Sequence, residues 1–227
     1  MDLVLGSSHG AHADSMFIAT ANSVRRWDLR RGCSVGKLHG NHQAPVMVLA
    51  AGLQQLTDEE STDHDDANCL TVVTGSKDHY IKVFRVPPDA SGLLTPSIEL
   101  EPPHYDGISA LALHPQGLLF SASRDGAIKK WRLCPAQGRQ ELITSQAHKD
   151  WILGMSLTTD GSILVSGCRG GTLKLWRVED CAFLGEVQTA HDGAINAIRI
   201  QKDRIFTASR QVVYYLYICS FFFRYCK

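Results

Sequence analysis

An excess of either charge is missing from this chain: 23 basic side chains face 23 acidic ones, and the pI is near 7.1. Neutralising phosphates takes a basic surplus, so a dedicated nucleic-acid or anionic-membrane binder is excluded, while local basic patches remain open. Paired cysteines are missing too. The seven, at 33, 69, 134, 168, 181, 219 and 226, never fall at C-x-x-C spacing. That argues against a zinc ribbon or a thioredoxin-type site, and an odd count in a long chain fits reduced thiols in the cytosol. Met1–Gly10 has neither the basic start nor the apolar stretch of a secretory signal. The longest apolar run, Val212–Ile218 resuming at Phe221–Phe223, falls short of the roughly 20 residues that span a bilayer. No G-x-x-x-x-G-K-[ST] is present, which removes phosphate-loop ATPase chemistry and leaves no cofactor expected. No heptad run is present either, so no coiled-coil stalk is included. What remains is a globular composition, 44% hydrophobic and 20% charged, long enough for a sizeable core.

The chain does contain a repeat. Thr74–Phe84 (TGSKDHYIKVF), Ser121–Trp131 (SASRDGAIKKW) and Ser166–Trp176 (SGCRGGTLKLW) align, and Thr207–Arg210 starts the same way before departing. A shorter relative, Ala19–Trp27, is followed by Asp28. The anchors Phe84, Trp131 and Trp176 are 47 and 45 residues apart. A histidine precedes each of the later segments: His104 in HYDGI, His148 in HKDWI and His191 in HDGAI, with His42 in HQAPV matching more loosely. Apolar runs at Ile108–Leu113 and Ile152–Leu157 read as inner strands. Leu118–Ser123 and Ser162–Gly167 read as second strands, Ala127–Arg132 and Thr172–Arg177 as third, and Glu141–Ser145 and Phe183–Val187 as fourth. Glycine supplies the positive φ in the turns Arg124-Asp-Gly126 and Arg169-Gly-Gly171. Four short strands per period of about 45 residues describe a propeller blade, and the predicted fold class is all-β.

The recurring His…Ser/Thr…Asp…Trp pattern resembles the WD40 family over nearly all of residues 16–210. Within it, the phrases GSKDHYIK from Gly75, EPPHYDGI from Glu101, GAIKKW from Gly126, AHKDW from Ala147 and SGCRGG from Ser166 are similar to the C-terminal WD40 region of kinesin-4 family motors. The resemblance implies a WD40 β-propeller of about five recognisable blades, incomplete relative to the usual seven, over residues 1–210. An acidic insert at 53–68 (Asp58, Glu59, Glu60, Asp63, Asp65, Asp66) reads as a solvated loop, lacking the glycine and terminal glutamate of a calcium loop. The proline-rich stretch from Pro87 to Pro103 reads as a long connection.

His104, Ser121 and Asp125 could be mistaken for a hydrolase triad. A triad should occur once, whereas this set recurs as His42, Thr74, Asp78 and Phe84, and partially as His148, Ser166 and Trp176 with Gly170 in place of Asp. The resemblance implies a structural tetrad inside each blade, completed by Trp131 in the best-formed repeat. No catalytic, cofactor or metal residues are expected. The residue before each Asp position is basic: Lys77, Arg124, Arg169 and Arg210. Propeller symmetry would set these four on one face as a basic arc, a dock for an acidic peptide, a phosphate or an acidic tubulin tail; alternatively they are ordinary charges at an exposed turn. Trp151 stands where the other repeats have Pro45, Gly107 and Ala194, and reads either as a binding residue or as local packing. Tyr105 is a weaker candidate of the same type.

The ending departs from the repeat at Arg210: seven of the 18 aromatics lie in the last 16 residues. Residues 211–227 read either as a tail replaced by alternative splicing or an unspliced frame, or as a divergent final strand. Unpaired, this β-prone segment would be an aggregation hazard whose deletion raises soluble yield.

The resemblance implies a non-catalytic protein-interaction module for cargo, adaptor or microtubule binding and motor regulation, cytoplasmic and cytoskeleton-associated. The alternative is a general cytosolic scaffold in an unrelated complex. Neither nucleic acid nor membrane insertion is expected.

Overall fold

The computed structural model describes residues 2–5, 14–53, 69–133, 138–188, 190–202, 204–209, 213–217 and 224–226. Arg210 and nearly all of the acidic insert therefore lie outside the described residues. The described chain is all β and forms five sheets. The first blade runs β1 (Leu3–Leu5), β2 (Ser15–Thr20), β3 (Ser23–Asp28), β4 (Cys33–Leu38), and the second β5 (Val46–Leu53), β6 (Leu70–Ser76), β7 (Ile81–Val86), then β9 (Ile98–Leu100). The third has β10 (Ile108–His114), β11 (Leu118–Ser123), β12 (Ile128–Leu133) and β13 (Gly138–Thr144). The fourth has β14 (Ile152–Leu157), β15 (Ile163–Cys168), β16 (Leu173–Arg177) and β17 (Phe183–Val187). The fifth has β18 (Ala197–Gln201), β19 (Arg204–Ala208), β20 (Val213–Tyr217) and β21 (Arg224–Cys226). Among these twenty strands every neighbouring pair is antiparallel.

Period-two strands bury one residue set on each face, and a blade flanked on both sides has two apolar faces to cover. The core is accordingly divided into four clusters, each between consecutive blades. Phe17, Val24 and Leu38 meet Leu70, Val72 and Phe84; Val73, Ile81 and Val83 meet Ile108, Leu119 and Trp131. Phe120, Ala122 and Ile128 meet Ile152, Leu164 and Trp176; Val165 and Leu173 meet Ile195, Ile198 and Ile205. No such cluster joins the fifth blade to the first among the described residues, and the propeller is an open arc rather than a closed ring.

Two irregularities recur from blade to blade. A bulge breaks the register near the start of the inner strand, between Val46 and Val48, Ile108 and Ala110, and Ile152 and Gly154. A second falls immediately before the indole in three blades, at Arg26/Trp27, Lys130/Trp131 and Leu175/Trp176. Bulges re-aim side chains and increase twist, and the second one sets the orientation of the tryptophan.

One segment differs from the reading of the sequence, and another that the sequence left open is paired. The stretch after Pro87 is not a bare connection: it supplies β8 (Gly92–Leu94), which pairs parallel with β4 as a fifth strand of the first blade, and then β9. The guanidinium of Arg26, almost wholly buried, fixes this excursion by donating to the carbonyls of Pro88 at 2.7 Å and Ala90 at 2.6 Å and to the Ser15 hydroxyl at 3.0 Å. Second, the backbone of the aromatic segment pairs: Val213–Tyr217 lies against β19, and Arg224–Cys226 against β20. β-propensity alone suffices for pairing once β19 offers an edge. Deleting residues 212–227 strips two strands from the last blade and opens that edge, so soluble yield is expected to fall, the reverse of what the sequence alone suggests; yields of the two proteins expressed side by side test this.

Candidate functional site

The turns between second and third strands, and the loops that enter each inner strand, meet on one face of the arc. The third blade shows the full arrangement. Trp131 Nε1 donates to Ser121 Oγ at 2.8 Å, Ser121 Oγ lies 2.8 Å from His104 Nε2, and His104 Nδ1 lies 3.0 Å from Asp125 Oδ2. An ionised Asp125 can only accept, so Nδ1 carries the imidazole proton, Nε2 accepts, and the Ser121 hydroxyl donates to it. Each atom thereby has one partner of the right kind, as buried polar groups require. Asp125 also accepts from the amides of Tyr105 (3.0 Å) and Ala127 (2.8 Å). Burial pushes the Asp125 carboxyl up, but the His104 hydrogen bond and these amides outweigh it and hold its pKa below the usual range. Burial lowers the His104 pKa, with Asp125 opposing.

The second blade repeats this with one loss. His42 bridges Thr74 Oγ1 and Asp78 Oδ2, both at 2.9 Å, and Asp78 accepts from the amides of Gln43 and Tyr80. Phe84 has no N–H to offer, and the Thr74 hydroxyl lies instead 3.3 Å from the Lys82 carbonyl. The fourth blade keeps Trp176 Nε1 to Ser166 Oγ (2.8 Å) and Ser166 to His148 Nε2 (2.7 Å), but has Gly170 where the carboxylate belongs. The His148 pKa is lowered to about 4, chiefly by burial, then by Lys174, with Glu186 opposing. In the fifth blade His191 Nε2 lies 2.8 Å from Thr207 Oγ1, a pair the repeat pattern already aligned.

Each histidine also fastens its blade to the one before. The amides of His104, His148 and His191 donate to the carbonyls of His79, Gly126 and Gly171, the last turn residues of the preceding blades. Gly126 and Gly171 have φ of 78° and 75°. A Cβ on Gly126 would lie 2.6 Å from the His148 carbonyl oxygen, and one on Gly171 would overlap that of His191. Glycine is therefore needed for close approach as well as conformation. His79 holds the same conformation, at φ 77°, without being glycine.

Sequence reasoning missed a lysine two residues before each aromatic anchor, although its repetition in the pattern was visible. Lys129 Nζ donates to the carbonyls of Pro102 and Pro103, Lys174 Nζ to that of Ala147, and Lys82 Nζ to Glu99. The Lys129 and Lys174 ammonium groups hold the loops that deliver His104 and His148, and lie 5.5 and 5.9 Å from the Trp131 and Trp176 ring centres, whereas Lys82 pairs with a carboxylate on β9. Ser76 and Ser123 were missed too; their hydroxyls donate to carbonyls of the same entry loops, Pro45 and Asp106 among them.

The basic candidates occupy equivalent places. The amides of Lys77, Arg124 and Arg169 donate to the carbonyls of Pro45, Gly107 and Trp151 respectively. Trp151, 37% exposed, carries two guanidinium groups against its ring: Arg124 Cζ is 4.8 Å from its ring centre and Arg169 Cζ 4.6 Å. Arg169 Nε also donates to Asp150 Oδ2 at 3.2 Å. Tyr105 projects with 86% of its surface exposed; among the described residues no ring contact joins Tyr105 or Lys77 to the stack. Ser121, by contrast, is wholly buried under Trp131, so the triad-like geometry offers no nucleophile to a substrate.

Residues 96–132 and 139–177 match the family described as "WD domain, G-beta repeat". The chain contains WD40 repeats. It is 44% identical over 194 residues to "Kinesin-like protein KIF21A" of Homo sapiens, and 43% over 197 residues to "Kinesin-like protein KIF21B" of Mus musculus, covering 86% of this chain and 11% of each relative. "Kinesin-like protein klp-12" of Caenorhabditis elegans is 32% identical over 201 residues, 86% of this chain and 12% of that protein. The chain thus spans about a tenth of the length of these relatives. No helix among the described residues is long and apolar enough to cross a membrane.

The WD40 histidines make stability pH-dependent. The unfolded chain protonates His148 near 6.5 and the folded chain only near 4. The stabilising contribution is complete above pH 6.5 and is lost as pH falls toward 4, to the extent of roughly 3 kcal/mol. Urea melts across that window should show the decline, and His148→Asn should make it shallower. Separately, Trp131→Phe leaves Ser121 one donor short and is expected to cost about 1–2 kcal/mol in the same melts.

Proposed function

We propose that this WD40 arc is a non-catalytic interaction module within a kinesin-like protein, binding an acidic segment of a cargo, adaptor or microtubule partner and so regulating the attached motor. Its setting would be cytoplasmic and cytoskeleton-associated. The observation that carries the reading is the Arg124–Trp151–Arg169 stack. Two cations held on an exposed indole are fixed in position before a partner arrives, which lowers the ordering cost of binding. Among the described residues Arg124 has no ion pair within the chain, leaving its charge for a partner. Lys77 extends the same positive field along the face, and Tyr105 adds exposed aromatic surface. The kinesin-like names of the relatives support the choice of partner class.

Charge reversal of Arg124 and Arg169 together is expected to weaken binding to a glutamate-rich peptide about tenfold or more and flatten its salt dependence, with stability changed by about 1 kcal/mol or less. Unchanged affinity in a titration would contradict the assignment.

A further inference from the structure

The fourth blade lacks the carboxylate that completes the second and third, and its place is open. In those blades three donors converge on the aspartate. Asp78 accepts from His42 Nδ1, Gln43 N and Tyr80 N, and Asp125 from His104 Nδ1, Tyr105 N and Ala127 N. The repeat places His148, Lys149 and Thr172 as their counterparts. All three line one cavity of 420 Å³, together with Gly170, Lys174 and two carboxylates, Asp150 and Glu186. Among the described residues no carboxylate pairs with the His148 ring. The two acids nearest are engaged: Asp150 with Arg169 Nε, and Glu186 with Lys174 and Gln188.

The gap is one side chain deep. A Cβ built on Gly170 would sit 3.7 Å from Cys168 Sγ and 3.9 Å from Asp150 Oδ2, ordinary contacts, and Gly170 is not among the glycines with positive φ. A Cβ is accommodated there, and the chain supplies none. The opening is adjacent to Arg169, whose guanidinium lies on Trp151.

We propose that the fourth blade is completed in trans: a side-chain carboxylate of an acidic peptide enters beside Gly170 and accepts from His148 Nδ1 and the amides of Lys149 and Thr172. The peptide's neighbouring residues then run along Arg169 and Trp151. This rests on the proposed acidic partner and adds where one of its carboxylates is held and what holds it. Three convergent donors select a carboxylate over a merely negative surface, and charge-assisted hydrogen bonds of this kind are the strong ones. The blade would thus keep a stability defect as a recognition socket, consistent with the cost that function often imposes on folding.

The test is titration of a fluorescent, C-terminally amidated glutamate-rich peptide into the full chain and two variants. Gly170→Asp occupies the socket from within; it should raise the melting temperature and cut affinity about tenfold or more. Gly170→Ala leaves the donors free and should hold affinity within about twofold. A peptide whose only carboxylate is its free C-terminus distinguishes side-chain from terminal recognition; it should bind at least about tenfold more weakly. In the unsubstituted protein the peptide should also raise the His148 ring titration, followed by NMR, from its value of about 4. Unchanged affinity in Gly170→Asp together with an unmoved His148 titration would overturn the socket. If binding then still falls on charge reversal of Arg124 and Arg169, the acidic-partner reading stands without it; if the peptide does not bind the unsubstituted chain, that reading fails as well.

Discussion

A buried hydroxyl held against an imidazole in the second to fifth blades, and against an indole as well in the third and fourth, is the contact on which the rest of this molecule depends. Ser121 accepts from Trp131 on the third strand and donates to His104 on the entry loop, while His104 reaches Asp125 in the turn. Three separated pieces of chain are thereby locked together around a hydroxyl of zero exposure, where an unpaired polar group would cost about 1–3 kcal/mol. The same histidine's amide bonds the preceding blade's turn. A local network thus also sets the spacing between blades, and the apolar clusters between sheets form at that spacing.

Departures from the set carry meaning because the set is so constrained. Phe84 in the second blade gives up a hydrogen bond but keeps the buried ring. Gly170 in the fourth gives up a carboxylate and leaves a cavity on the face that also displays Arg169 and Trp151. The first loss is internal to the core; the second opens outward. This separates the residues that build the scaffold from those that can meet a partner: a neutral chain concentrates positive charge at turns whose backbone positions the tetrads fix.

Much of this was legible in the residues. The period, the strand order and the turn glycines follow from alternation and recurrence, and the tetrad is what the WD40 resemblance implied. The convergence of two arginines on Trp151 was not legible, because Arg124 and Arg169 belong to different blades and their meeting depends on how the blades pack. Lys129 and Lys174 were hidden for another reason: a lysine reads as a surface residue, and only the loop carbonyls of Pro102, Pro103 and Ala147 explain its burial. The strand β8 and the buried Arg26 come from an excursion that no other blade shares, so repetition gave no signal. The aromatic segment after Arg210 lost the motif and still pairs, since backbone pairing needs an open edge and β-propensity rather than tetrad residues.

Native-state hydrogen exchange on Ser121→Ala tests most directly whether the hydroxyl relay links blades as well as strands. The account predicts faster exchange at the amide of His104, which donates to His79 of the second blade, and at that of Arg124, which donates to Gly107. Acceleration confined to the strands carrying Ser121 and Trp131, with the His104 amide as protected as before, would contradict it.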